Sequence, residues 1–221
     1  MLYLVATPIG NLKDITLRAL ETLKQVDLIL CEDTRVTRKL LEHYEIKKPT
    51  ESYHHHTPES KVKEIIVLLK NGKNIALVTD AGTPGIADPG NKLVAELIKD
   101  SSAARLISPI PGPSALATAL SIAGFPTDKF VFYGFPPTKK KRKEFWQKIA
   151  DNDLAVVFYE SPHHIIKSLT ELKEFSPSRQ AMVGRELTKK FETVYRGTLA
   201  EIIDQLTTEA RGEFVVVLDR Q

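Results

Sequence analysis

The chain has a single cysteine, Cys31, among 221 residues. One thiol closes no intrachain disulfide and cannot build a zinc ribbon, so a reducing compartment is expected. No apolar run approaches the ~20 residues that span a bilayer. Met1-Leu2-Tyr3-Leu4-Val5 reads as a strand without the basic n-region of a secretory signal, so Met1 is expected to begin a mature cytoplasmic chain. Among 11 glycines no two stand two positions apart, which removes the G-x-G-x-x-G dinucleotide fingerprint. Charge of one sign is not in excess either. Thirty-one basic against 28 acidic residues leave +3, too small a surplus to demand a nucleic acid on bulk electrostatics. What is present, 42% hydrophobic and 27% charged residues, suffices for one large core or two smaller ones.

Strand-like and helix-like stretches alternate through the first half. Strands are predicted at Leu2 to Ala6, Asp27 to Cys31, Asn74 to Thr79 and Arg105 to Ser108. Helices are predicted from Thr16, over Thr34 to Tyr44, over Glu59 to Leu69 behind a Thr57 cap and Pro58, up to Ile98, and over Pro113 to Ala123 with Gly124 as stop. That alternation implies a parallel sheet with crossover helices. After Gly124 the pattern restarts. Strands are predicted at Phe130 to Tyr133 and Leu154 to Tyr159, with helices near Lys143 to Ile149 and from a Ser161-Pro162 cap to Leu172. Two runs without a helix between them, Gln180 to Arg185 and Glu192 to Gly197, are expected to pair antiparallel. Thr198-Leu199-Ala200-Glu201 has capping-box spacing, and Phe214 to Asp219 is a continuous apolar strand. The expectation is α/β with two domains, residues 1–124 around a parallel sheet and 125–221 around a mixed one. No repeat or low-complexity tract interrupts it.

Three strands of the first half run directly into Gly/Pro turns: Ala6-Thr7-Pro8-Ile9-Gly10, the stretch from Asp80 to Gly90, and Pro109-Ile110-Pro111-Gly112-Pro113-Ser114. Each Gly or Pro alone does no more than shape a turn. Jointly they lie at the carboxyl ends of parallel strands, where open sheets bind small molecules. The stretch Gly85 to Lys92 is no phosphate loop. Asn91 follows Gly90 where Lys belongs, Pro89 lacks an N–H, and Asp88 repels phosphate. Asp80 and Asp88 beside glycines suit a cationic or hydroxyl-rich ligand, such as a sulfonium nucleoside.

Six blocks in order along the chain carry a resemblance: Leu4 to Leu12 with Asp14-Ile15, Cys31-Glu32-Asp33-Thr34-Arg35, Asp80 to Gly90, Pro111 to Ala115, Phe158-Tyr159-Glu160-Ser161-Pro162-His163, and Arg185-Glu186-Leu187-Thr188-Lys189. They resemble the small-subunit ribosomal RNA methyltransferases of the tetrapyrrole methylase superfamily. The resemblance implies two α/β domains with S-adenosylmethionine in a cleft between them, 2'-O-methylation of a cytidine in the decoding region of bacterial 16S ribosomal RNA, and a homodimer. Carried over by position, Thr7, Pro8, Gly82, Thr83, Ile86, Ser114 and Ala115 bind the cofactor from the first domain. Tyr159, Glu160, Glu213 and Phe214 approach it from the second. Arg35, Glu186 and Asp33 are the candidate catalytic residues, with Glu160 a further candidate base and Arg185 or Lys189 a candidate partner for phosphate. A small-molecule methylase of the same superfamily and a non-catalytic ribosome-assembly factor are the alternatives. Many members of the family continue past the final strand, whereas this chain ends at Gln221.

The clearest basic run is Lys139, Lys140, Lys141, Arg142 and Lys143, set between Phe135 and Phe145-Trp146. A charge run is usually a solvated face, but lysines beside aromatics also match a backbone contact with stacking platforms. These five residues, with Arg38, Lys39 and Lys189, are the candidate RNA ligands. His54-His55-His56 is not expected to hold a metal, because adjacent residues of an extended segment point to opposite faces.

Overall fold

The structure, a computed structural model, describes residues 1–54, 56–88, 90–206 and 211–221, and of Ser101 the backbone alone. It forms two compact units, Met1–Ser114 and Ala115–Gln221. The first contains β1 (Leu2–Val5), α1 (Leu17–Gln25), β2 (Leu28–Cys31), α2 (Thr34–His43), β3 (Thr50–Ser52), α3 (Glu59–Lys70), β4 (Ile75–Leu77), α4 (Gly90–Ile98), α5 (Ser101–Ala104) and β5 (Ile107–Ile110). Its five strands lie in the order β3-β2-β4-β1-β5, and every pairing is parallel.

The continuous apolar runs of these strands follow from burial on both faces. Leu2, Leu30, Ile75 and Leu77 pack against Val62, Ile65 and Leu69 of α3 and Leu93 and Leu97 of α4. The alternate residues Ile29, Cys31, Ala76 and Val78 pack against Ala19 and Leu23 of α1 and Leu41 of α2. Each Leu, Ile or Val among them contributes roughly 1.5–3 kcal/mol when fully buried. Cys31 is fully buried there, and burial pushes its thiol above the ordinary range, so it is a core residue.

The second unit contains α6 (Ala115–Ser121), β6 (Phe130–Phe132), α7 (Arg142–Ala150), β7 (Ala155–Glu160), α8 (Ile165–Phe175), β8 (Gln180–Arg185), β9 (Thr193–Thr198), α9 (Leu199–Gln205) and β10 (Phe214–Leu218). Its strand order is β6-β7-β10-β8-β9. The β6–β7 pair is parallel and the others antiparallel, so the sheet is mixed. One face carries α7, α8 and α9 over Phe158, Val183 and Val216. The other carries Ala119 and Ala123 over Val157, Met182 and Val217. That packing explains why α6 goes with the second unit, whereas the sequence reading divides the chain at Gly124. The Thr198–Glu201 capping box is present, each residue bonding the other's backbone N–H.

Several local expectations shift. The sequence reading missed β3, three polar residues at a sheet edge, and α5, one turn long; neither length carries a period. The fifth strand lies two residues later than predicted and includes Pro109, which an edge strand tolerates because its missing N–H leaves no neighbour unpaired. Thr57 does not cap α3. Its hydroxyl accepts from the His54 backbone N–H at 2.8 Å, and Pro58 precedes the helix without a side-chain cap. Likewise α8 starts at Ile165, and Ser161 serves it only through a backbone carbonyl that accepts from His164 and Ile165. Among the described residues no helix is long and apolar enough to cross a membrane.

Candidate functional site

The three Gly/Pro turns meet inside the first unit. Thr7 and Gly82 form an antiparallel bridge, Thr7 N–H to Gly82 O at 2.9 Å and Gly82 N–H to Thr7 O at 3.1 Å. The Thr7 hydroxyl, buried, donates to Thr79 O at 3.0 Å. The Thr83 hydroxyl donates to Pro113 O at 3.1 Å and so ties the second turn to the third. Gly82 has φ +83, and a Cβ there would sit 3.4 Å from Ile9 and 3.7 Å from Pro113 O. Glycine is therefore what lets the backbone adopt this conformation where the three turns touch. Pro8 is buried beneath them and Ile86 is exposed at the rim. Ser114 closes the first unit and Ala115 opens α6; both are half-buried.

Strand order makes this edge the candidate site. The chain leaves β2 toward β3 but leaves β4 toward β5, on the other side of β1. The carboxyl ends of the neighbouring strands β2 and β4 thus flank a topological switch point, the usual ligand crevice of such sheets. Acidic residues gather there. The Asp33 backbone N–H donates to Asp80 Oδ1 at 3.1 Å, and the Thr79 hydroxyl to Glu32 Oε2 at 3.4 Å. Sequence reading named Asp33 and Asp80 separately; only the pairing of β2 with β4 joins them. Asp88, expected at the ligand, instead braces its own loop by accepting from Gly85 and Gly90 N–H at 2.7–2.9 Å.

Asp33 caps α2 and grips Arg35, whose Nε and Nη2 reach its carboxylate at 2.6–3.2 Å. The Arg35 side chain stays 85% exposed, a guanidinium oriented yet open to an anion. Arg38 and Lys39 are exposed on the same helix. The side-chain bond from Arg35, then the Arg35 backbone N–H, hold the Asp33 carboxyl down at about 2. With a folded pKa below the unfolded one, its stabilising contribution is present above the ordinary aspartate range and is lost only as pH falls toward that value. A carbon-13 titration of Asp33 should show no inflection near pH 4; an ordinary midpoint there would refute the clamp.

In the second unit, Glu186 has φ 52 and accepts from Lys189 Nζ at 2.8 Å and Glu213 N–H at 2.9 Å. Burial acts to raise its carboxyl, but the Lys189 and Glu213 bonds outweigh it and hold Glu186 below the usual glutamate range. Lys189 also pairs with Glu213 at 2.9 Å, so it is an internal brace rather than an open cation. Phe214 is buried in the core that the second sheet shares with α7, α8 and α9, so its side chain is a core residue. Glu160 is buried too, accepting from Ser161 N–H at 2.7 Å and the Ser168 hydroxyl at 2.5 Å. Tyr159 is half-buried, and burial pushes its hydroxyl above the ordinary range against the opposing Leu116 amide.

The basic run separates into two kinds of residue. Lys139, Lys140, Lys141 and Lys143 are exposed. Arg142 turns inward, donating to Glu171 Oε2 at 2.7 Å, Pro137 O at 2.7 Å and Ser168 Oγ at 2.9 Å. It is thereby removed from the RNA ligands expected from sequence. Trp146 is buried and donates to the same Glu171 oxygen at 2.7 Å. His55 lies outside the described residues; His54 Nδ1 accepts from His56 N–H at 3.2 Å. Among the described residues no three His, Cys, Asp or Glu side chains are grouped to hold a metal.

A parallel sheet with a cross-braced carboxyl edge, followed by a mixed-sheet unit, is the architecture of a methylase class. The family model for tetrapyrrole (corrin/porphyrin) methylases matches residues 1–203, and the chain belongs to that family. Its curated relatives narrow the class. Ribosomal RNA small subunit methyltransferase I of Synechocystis sp. is 48% identical over 221 residues, 99% of this chain and 78% of the relative. The protein of that name from Thermotoga maritima is 43% identical over 98% of this chain and 97% of the relative. Among solved structures, the methyltransferase CobJ aligns with a TM-score of 0.72 at 19% identity, over 99% of this chain and 93% of that one. Diphthine synthase aligns at 0.73 and 16% identity, over 99% and 89%. At such identities the structural likeness concerns the fold, which is the α/β pair of sheets expected from sequence.

Proposed function

We propose that this chain methylates the 2'-oxygen of a cytidine ribose in small-subunit ribosomal RNA, with S-adenosylmethionine as methyl donor. It is a methyltransferase that works in the cytoplasm as a homodimer. The near-full-length likeness to relatives named for small-subunit ribosomal RNA methylation carries this reading. The acidic switch point supports the cofactor: Glu32, Asp33 and Asp80 suit the sulfonium and ammonium charges of that donor, and they oppose a phosphate. Thr7, Gly82 and Thr83 supply a glycine-permissive cradle for it, with Ile86 at the rim. The second unit's share, through Tyr159, Glu160 and the 213–214 backbone, rests on the resemblance.

The bound cofactor supplies an electrophilic methyl group. This chain's contribution is to align the ribose oxygen with it, an effect worth roughly 7–11 kcal/mol in well-oriented systems. Asp33 and Glu186 are each held as carboxylates by a cation, which makes them weak bases; their role is to position Arg35 and Lys189. Arg35 is placed to hold an RNA phosphate or orient the reacting oxygen.

Methyl transfer to isolated small subunits lacking this modification, read as an alkali-resistant ribose, tests the proposal. Transfer to a tetrapyrrole, or cofactor binding without transfer to RNA, would overturn it. Thermal melting gives a second check: S-adenosylmethionine at 100 times its Kd should stabilise the fold by about 2.7 kcal/mol, and ATP should not. Sedimentation equilibrium tests the dimer.

A further inference from the structure

Between β6 and α7 the chain presents an aromatic ring to solvent on an unusually constrained loop. Phe135 is 57% exposed, although burying a ring of that size is normally favourable. Gly134 before it has φ 65, and its carbonyl accepts from Tyr159 N–H at 2.9 Å. Pro136 after it confines Phe135 to extended backbone. The ring rests edge-on against Tyr159, centroids 5.5 Å apart, and Tyr159 rests in turn against Phe132 at 4.9 Å. Further along the loop, Arg142 fastens the chain by its bonds to Pro137 O and Glu171 and its buried bond with Ser168. Between these two anchors stand Lys139, Lys140 and Lys141, with Lys143 just beyond, all exposed. None has an ion-pair partner among the described residues. The other aromatics flanking the run do not compete for this role, since Trp146 is buried and Phe145 packs against the core.

We infer that Phe135 is a stacking platform for an unpaired base of the RNA, with the four lysines beside it meeting the backbone phosphates. This rests on the proposed function, because the RNA is the substrate named there. A pre-organised ring loses little freedom on binding, and stacking tolerates any base, so the platform holds a strand without reading its sequence. Arg142 is a positioning residue for this loop and not an RNA ligand.

The test uses the full chain with isolated small subunits and with a single-stranded oligoribonucleotide. Phe135→Leu should weaken oligoribonucleotide binding by about 5- to 150-fold, the range for losing one stacked base, and Phe135→Tyr should restore it. The slope of log affinity against log salt should stay as in the wild type for both, because stacking releases no counterions. Replacing Lys139, Lys140, Lys141 and Lys143 by Gln should flatten that slope by about 0.7 for each phosphate no longer neutralised. Phe135→Trp should give tryptophan fluorescence quenched by the oligoribonucleotide, over a constant background from buried Trp146. Unchanged RNA affinity in Phe135→Leu, or a loss of self-association in its place, overturns the inference. If the wild-type chain itself neither binds nor methylates RNA, the proposed function has failed; if the wild type methylates and Phe135→Leu does so equally well, only the platform has.

Discussion

Thr83→Arg should abolish S-adenosylmethionine binding while leaving the chain folded. Thr83 is half-buried on the second Gly/Pro turn, and its one side-chain bond, to Pro113 O, joins that turn to the third. Losing the bond costs only about 1 kcal/mol of stability. Binding loses far more, because a guanidinium added to an edge that suits a cation repels the ligand. For unit charges 4 Å apart near a protein surface that repulsion is about 4 kcal/mol, close to a thousand-fold in affinity. Calorimetric titration with S-adenosylmethionine checks the affinity, and thermal melting checks the fold. Thr83→Ser keeps the hydroxyl and should bind within a few-fold of wild type. Near-normal affinity in Thr83→Arg would place the cofactor away from these turns.

Arg142→Ala should be the most destabilising change in the basic run, by roughly 1.5–3 kcal/mol, the usual worth of hydrogen bonds to a charged partner that keeps some access to water. For a chain of this length that lowers the melting temperature by roughly 3–12 °C. The Arg142 side chain is 9% exposed against 30% for Glu171, and its guanidinium lies 5.3 Å from the Trp146 ring. Removing it leaves Glu171 with Trp146 as its inner donor and strips Ser168 of one partner. Burial acts to raise the Glu171 carboxyl, but bonds from Trp146 and Arg142 outweigh it and hold it below the ordinary range. Without Arg142 its pKa should rise, so acid unfolding should begin at higher pH than in the wild type. Arg142→Lys should rescue only part of the loss, since an ammonium cannot serve three acceptors in the guanidinium's planar array. Lys140→Ala, on the exposed part of the run, should change stability by less than about 0.5 kcal/mol. Equal effects at Arg142 and Lys140 would show that Arg142 is solvated like its neighbours.

Much of the fold was legible because its signals are local. The continuous apolar runs around Leu30, Ala76 and Val216, the Thr198–Glu201 cap spacing, and the Gly/Pro turns at strand ends each sit within a few residues. Those turns also come together at one edge, since in a parallel sheet the carboxyl ends of all strands emerge on the same side. What stayed hidden depended on partners distant in the chain. Asp80 and Asp88 look equivalent in sequence, yet one joins Asp33 across the switch point and the other is consumed by Gly85 and Gly90. Lys189 reads as an open cation until Glu213 is folded beside it.

By itself, then, the amino-acid order determined the alternation of elements, the family blocks and the positions of the Gly/Pro turns. Tertiary structure alone decided which charges face water. In Lys139 to Lys143 five cations follow one another, and nothing in their spacing marks the fourth. Arg142 is singled out by Ser168 and Glu171, 26 and 29 residues away, because burying a charge is favourable only where acceptors from another helix replace its water.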